Sequence, residues 1–230
     1  METYDVELIC KKEVAEGTME FTLEKPAGFT YRAGQYGDIV LPNKGGASEQ
    51  EYKHGFSFLS APFEEHLRMA TRMRNTPFKE AIKVTPDGTM VQLIATFGDF
   101  TLHKNEAIPA VFVIGGIGIT PVRGMIAQAT HDKTGHKLTL IYANKTSALA
   151  AYTDDLTQLA AQNPNFTFVP VYTEKEGHVN ADLIKRHIPD VATPKYYLSG
   201  PEGMVKAMRS LLIEVGADED NIRTEEFEGY

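Results

Sequence analysis

The run Val113-Ile114-Gly115-Gly116-Ile117-Gly118-Ile119-Thr120-Pro121 constrains this chain more than any other stretch. The apolar residues Val111 to Ile114 predict a buried strand, the three glycines a turn, and Pro121 the opening of a helix. A helix start carries unpaired N–H groups at the positive end of its peptide dipole, a setting that suits a pyrophosphate. Taken alone, such a turn serves equally well to let a strand and a helix approach each other.

After Pro109 the same pattern repeats. Residues 137–142 predict a strand, 146–161 a helix with Leu149, Tyr152, Leu156 and Leu159 at compatible spacings, and 166–172 another strand. Asn180 suits the cap of a helix carrying Leu183, Ile184 and Ile188, after which 195–198 returns to strand. Ser199-Gly200-Pro201-Glu202-Gly203-Met204 makes a second glycine turn into a helix buried through Val205, Met208, Leu211 and Leu212, and 222–227 fits a final strand. Repeated strand and helix units predict a mostly parallel sheet with ligands beyond the carboxyl ends of its strands. The two turns would border one cleft, with a pyrophosphate at the first and a nicotinamide ring near the second.

The first half has a different grammar. Residues 4–9 and 18–23 alternate around a turn region at Glu13, Glu16 and Gly17, and Gly34 and Gly37 predict a bend feeding a strand that ends at Pro42. A polar loop is expected over 43–50. Phe56 and Phe58 then share one side of an extended segment with Ser57 on the other; spacing leaves open whether either ring meets a planar cofactor or fills a core. Arg68, Arg72 and Arg74 take one face of the next alternating stretch, as a solvated face or as a docking surface for an acidic partner or a phosphate. Thr76 and Pro77 fit the cap and first position of a short helix. Pro86-Asp87-Gly88-Thr89 precedes a strand from Met90 to Ile94 that reaches Phe100. Short strands with one small helix predict an antiparallel barrel. The polar stretch 103–106 separates the regimes, giving domains at 1–104 and 105–230.

A chain of 230 residues has room for two ordinary domains. Its formal charge of -8 argues against duplex nucleic acid, which needs a concentrated basic face. Cys10 is the only cysteine, which excludes an internal disulfide, a cysteine-ligated iron–sulfur cluster and a four-cysteine zinc site. His103, His131, His136, His178 and His187 show no metal-ligand spacing, and the acids at 154–155 and 218–220 suit helix ends or surface. No stretch has the length of a membrane span and none reads as a signal segment, so a cytoplasmic location is expected.

In order, Gly34-Gln35-Tyr36, His54-Gly55-Phe56-Ser57, Gly98-Asp99-Phe100, the first glycine turn, the second glycine turn and Glu225-Glu226-Phe227 resemble the motif series of the ferredoxin-NADP reductase superfamily. The likeness is to its small bacterial flavodoxin or ferredoxin reductases and flavin reductases. It implies an N-terminal antiparallel six-stranded β-barrel binding FAD, with FMN the alternative, and a C-terminal α/β Rossmann-like parallel sheet binding NADH or NADPH. It further implies that Phe56 lies against the isoalloxazine, that Ser57 sits near its reactive nitrogen, and that Thr76 holds the flavin phosphate. His54, Gly55, Met69, Thr71 and Phe78 complete the implied flavin contacts. Gly115, Gly116, Gly118, Thr120 and Pro121 match the nicotinamide-nucleotide segment, joined by Gly200 and Pro201. Ser57, Ser199 and Phe227 take the implied roles nearest the chemistry: tuning the flavin, positioning the nicotinamide and controlling access. Two positions depart from the family: His54 stands where an arginine is frequent, and Ser199 where a cysteine is frequent. Neutral histidine offers one donor against five for arginine, which loosens the implied phosphate site.

The implied reaction is hydride transfer between nicotinamide C4 and flavin N5, with electrons passing to a separate ferredoxin, flavodoxin or similar acceptor. Reduction of free flavin or a ferric complex is the alternative, and a flavin-binding sensor or assembly module without turnover is the non-enzymatic one. Lys145 is the one base of 142–147 placed to approach an extra ribose phosphate, and no basic cluster there separates NADPH from NADH.

Overall fold

The computed structural model describes residues 2–42 and 52–227, so the polar loop expected at 43–50 lies outside the described residues. The first six strands are β1 (Glu2–Ala15), β2 (Thr18–Leu23), β3 (Tyr36–Val40), β4 (Lys53–Ser57), β5 (Leu67–Arg72) and β6 (Thr89–Phe97). They form one antiparallel sheet in the order β4-β3-β6-β1-β2-β5. Just past β4 the Leu59 amide donates to the Arg68 carbonyl of β5 at 2.8 Å, so the two edges meet and the sheet curls into a barrel. Leu8, Phe21, Leu23, Ile39, Phe58, Leu67, Met69 and Leu93 fill its interior without exposure to solvent. Helix α1 (Pro77–Val84) adds Phe78 and Ile82 to the same core, and the Thr76 hydroxyl caps it by accepting from the Lys79 amide at 3.4 Å. Gly37 lies inside β3, not in a bend; it is a glycine there to make room for Leu93, which a Cβ would strike at 2.9 Å.

The second sheet contains β7 (Ala110–Gly115), β8 (Leu138–Asn144), β9 (Phe166–Tyr172), β10 (Lys195–Pro201) and β11 (Ile222–Phe227), all parallel, in the order β11-β10-β7-β8-β9. Strand β7 sends Phe112 and Ile114 toward α2 (Ile119–His131) and α3 (Thr153–Gln162), and Val111 and Val113 toward α4 (Ala181–His187) and α5 (Glu202–Glu214). Its continuous apolar sequence follows from burial on both faces. The strand order reverses between β7 and β10, which opens a crevice at their carboxyl ends.

Two local expectations are corrected. Helix α2 opens at Ile119, after a 3-10 turn over Gly116–Gly118, so Pro121 is its third residue; first-turn amides have no partner within the helix, and proline is tolerated there. The stretch 146–161 is not one helix. A 3-10 turn at Ser147–Leu149 ends and Tyr152 adopts a left-handed φ of 65° before α3. The break aims the carbonyls of Ala148 and Leu149 at the barrel, where they accept from the Glu16 amide at 2.9 Å and from Arg72 at 2.8 Å.

The domains meet over the outer face of β2. Phe21 and Leu23 face the barrel interior, while Thr18 and Glu20, each 1% exposed, are covered from outside. Arg123 of α2 is 6% exposed and forks onto Asp155 of α3 at 2.7 and 3.0 Å while also holding Glu64 of the barrel. Glu64 pairs onward with Arg68 at 2.8 Å, and Arg68 with Glu20 at 3.6 Å. The reading of Arg68, Arg72 and Arg74 as one docking face is therefore corrected. Arg68 joins this ion ladder and Arg72 holds the backbone at Glu16 and Leu149, leaving Arg74 exposed. Arg123→Met should leave Glu64 and Asp155 without their common partner and lower the unfolding free energy by about 3 kcal/mol in a urea titration.

Candidate active site

The crevice between β7 and β10 admits no side chains on its glycines. A Cβ on Gly118 would lie 2.4 Å from the Ser199 carbonyl oxygen, and one on Gly115 would lie 2.2 Å from Sδ of Met204. Gly200, at φ 149°, adopts a backbone that residues with a Cβ rarely take, and its missing side chain leaves room for the Gly115 backbone. A cleft of about 680 Å³ opens above these turns, lined by Gly115, Gly116, Asn144, Lys145, Pro201 and Met204, with Arg72 and Arg74 on the barrel rim. Its bare backbone, the amino end of α2 and the rim cations suit a dinucleotide pyrophosphate. Thr120, whose hydroxyl donates to the Ile117 carbonyl at 3.0 Å, stabilises the turn. Lys145 pairs with Glu174 at 3.2 Å at the outer end of the cleft.

A second indentation lies between the domains. His54, Gly55, Phe56, Ser57, Thr71 and Lys79 form its barrel wall, and Ile117, Thr120 and Phe227 close it from the other side. With Phe227 in place about 40 Å³ remains, so a planar multi-ring group enters only if that ring moves aside. Phe56 is 5% exposed and packs edge-on to Phe21 at 4.9 Å, presenting only part of its ring to the indentation. Met69 and Phe78 belong to the barrel core and do not line it. Thr76 sits at the exposed α1 cap, and Pro121 is buried within α2. The structure thus gathers His54, Gly55, Phe56, Ser57, Thr71, Thr120 and Phe227, and sets Gly115, Gly116 and Pro201 along the neighbouring cleft.

At the junction Ser57 is 4% exposed and lies beside Glu225. Glu225 stands in register with Ser199 across β10 and β11. Burial pushes the Glu225 carboxyl up to about 7, against the lowering effect of the Ser57 hydroxyl. The Ser199 hydroxyl and one Glu225 oxygen are buried without a hydrogen-bond partner among the described residues. Orphaned buried polar atoms call for a ligand or a water, and these two lie where the crevice meets the barrel. Glu225 is a functional residue that sequence reasoning missed: the motif Glu225-Glu226-Phe227 is visible, but only the parallel register selects which acid faces Ser199. Among the described residues no group of three His, Cys, Asp or Glu side chains is placed to hold a metal, and no helix is long and apolar enough to cross a membrane.

A barrel, a nucleotide-type parallel sheet and a polar junction between them define the two-domain architecture of nicotinamide and flavin oxidoreductases. Residues 112–210 match the family model of the oxidoreductase NAD-binding domain. The chain is 26% identical over 219 residues to the reductase component of propane 2-monooxygenase from Rhodococcus jostii, covering 88% of this chain and 57% of that protein. It is 23% identical over 249 residues to ferredoxin–NADP reductase B of Sorangium cellulosum, covering 99% and 98%. The FAD/NAD-binding domain of nitric oxide dioxygenase from Vibrio cholerae superposes with a TM-score of 0.84 at 20% identity, covering 97% of this chain and 98% of that one. Along its length the chain thus resembles reductases of the ferredoxin-NADP reductase superfamily. It spans little more than half the length of the first of these relatives.

Gly118→Ala should force the β7 and β10 turns apart, weakening dinucleotide binding in a calorimetric titration and costing about 1–3 kcal/mol of stability. Because the Glu225 value of about 7 lies above the ordinary 4.5, the fold favours the protonated acid. That contribution is full below about pH 4.5 and is lost as pH rises through about 7. Denaturation at a series of pH values across this interval should show the wild type losing stability relative to Glu225→Gln.

Proposed function

We propose that this chain is an NAD(P)H-dependent flavoprotein reductase, with FAD or FMN between the domains, NADH or NADPH in the β7–β10 cleft, and electrons passed onward to a separate acceptor. The observation that carries this reading is the convergence of Ser57, Glu225 and Ser199 where the cleft meets the barrel. The domain division is taken at 104, within the polar stretch before β7.

The bound cofactors supply the hydride chemistry; the protein supplies alignment and proton control. Ser57 is buried at the barrel wall beside Glu225, within reach of a flavin bound there. Glu225 carries a proton below about pH 7 and exchanges it beside Ser57. Ser199, held on β10 by pairing on both sides, is fully buried with an unpartnered hydroxyl and is our candidate for positioning the nicotinamide. Phe227 excludes water until a planar ring replaces it over the indentation. The acceptor reading leans on relatives such as the Rhodococcus reductase component, and a ferredoxin, a flavodoxin or an oxygenase component fits it.

Anaerobic rapid mixing of the flavin-reconstituted protein with NADH, and separately NADPH, should bleach oxidised-flavin absorbance with at least one donor. The rate for the wild type should change through about pH 7, and Glu225→Gln should slow reduction by about 10²-fold and remove that break. Bound flavin that neither donor bleaches would replace the reductase reading with that of a flavin-binding sensor.

A further inference from the structure

Lys79 is an anomaly in the barrel wall. It is the third residue of α1 and only 7% exposed, yet among the described residues neither Lys79 nor Arg74, just before the helix cap, forms a salt bridge. A buried ammonium without a counter-charge is destabilising, and an apolar side chain would pack there at lower cost. The lysine lines the indentation beside His54, Ser57 and Thr71. Burial first, and then the Arg74 charge, hold Lys79 below the ordinary lysine value, while burial and then Lys79 lower His54. Glu80, the only acid in the first turn of α1, is exposed. From the first turn of the eight-residue α1, Lys79 thus lines this indentation, with the Arg74 charge close enough to act on it.

We propose that Lys79 is the main phosphate-binding residue of the flavin site, holding the 5′-phosphate on the ribityl chain that FMN and FAD share. The assignment rests on the flavin reading above. A phosphate there supplies the missing counter-charge and meets the positive end of the α1 dipole. His54 and Thr71 then flank the anion, and the ammonium carries most of its recognition.

The test is calorimetric titration of the flavin-free full chain, wild type and Lys79→Met, with riboflavin, FMN and FAD. Riboflavin lacks the phosphate. Lys79→Met should bind riboflavin as the wild type does and bind FMN and FAD about tenfold or more weakly, and Lys79→Arg should recover part of the loss. Raising salt should weaken wild-type binding of FMN more than that of riboflavin. An equal loss for riboflavin, or no loss for FMN, would overturn the assignment, and a loss confined to FAD would move Lys79 to the adenylate half and overturn it too. A wild-type chain that binds none of the three would instead remove the flavin reading together with this one.

Discussion

Arg123 is a cation held from two sides at the boundary between domains: by Asp155 on its own sheet layer and by Glu64 on the barrel. A guanidinium suits this place because its planar fork meets one carboxylate in two parallel bonds and still has a donor free for another. Its cost of desolvation is offset only while both carboxylates stay in position, so the orientation of barrel and sheet is tied to local geometry at α2. That helix also frames the glycine turn of the cleft. One ionic junction therefore sets both the angle between domains and the alignment of the two sites.

From this junction the ladder continues through Glu64 and Arg68 to Glu20. Tyr152 packs where Glu20 is buried, and burial together with that charge holds its phenol in the protonated form. Charges in this row are arranged by alternation of sign, which makes the interface specific in register as well as adhesive. Apolar contacts do the rest: Ala61 and Phe100, from the barrel side, pack into the cluster formed by α2 and the parallel sheet.

Much of this was legible in the sequence because it depends on local period. The strands at 18–23, 166–172 and 222–227, the Thr76 and Asn180 caps and the switch from alternating strands to strand and helix units all follow from neighbours a few residues apart. What escaped depends on partners distant along the chain. Arg72 reads as a surface cation until Leu149, 77 positions away, is folded against it. The break at Tyr152 is imposed by tertiary contact, since its flanking residues have ordinary helix spacing. The burial of Lys79 depends on the barrel wall folded against its helix. Glu225 gains meaning only from a parallel register with Ser199, which no single strand encodes.

Strand β11 pairs with β10 and, among the described residues, has no strand on its other side. Separating an edge strand breaks a single ladder, whereas separating a central one breaks two, and proteins open locally at unequal cost. Here that edge carries both Glu225 and Phe227, the acid and the ring that complete the site. Release of this one ladder would free both groups without separating the domains. Ligand residence and hydrogen-exchange protection of this edge thereby become two readouts of the same equilibrium.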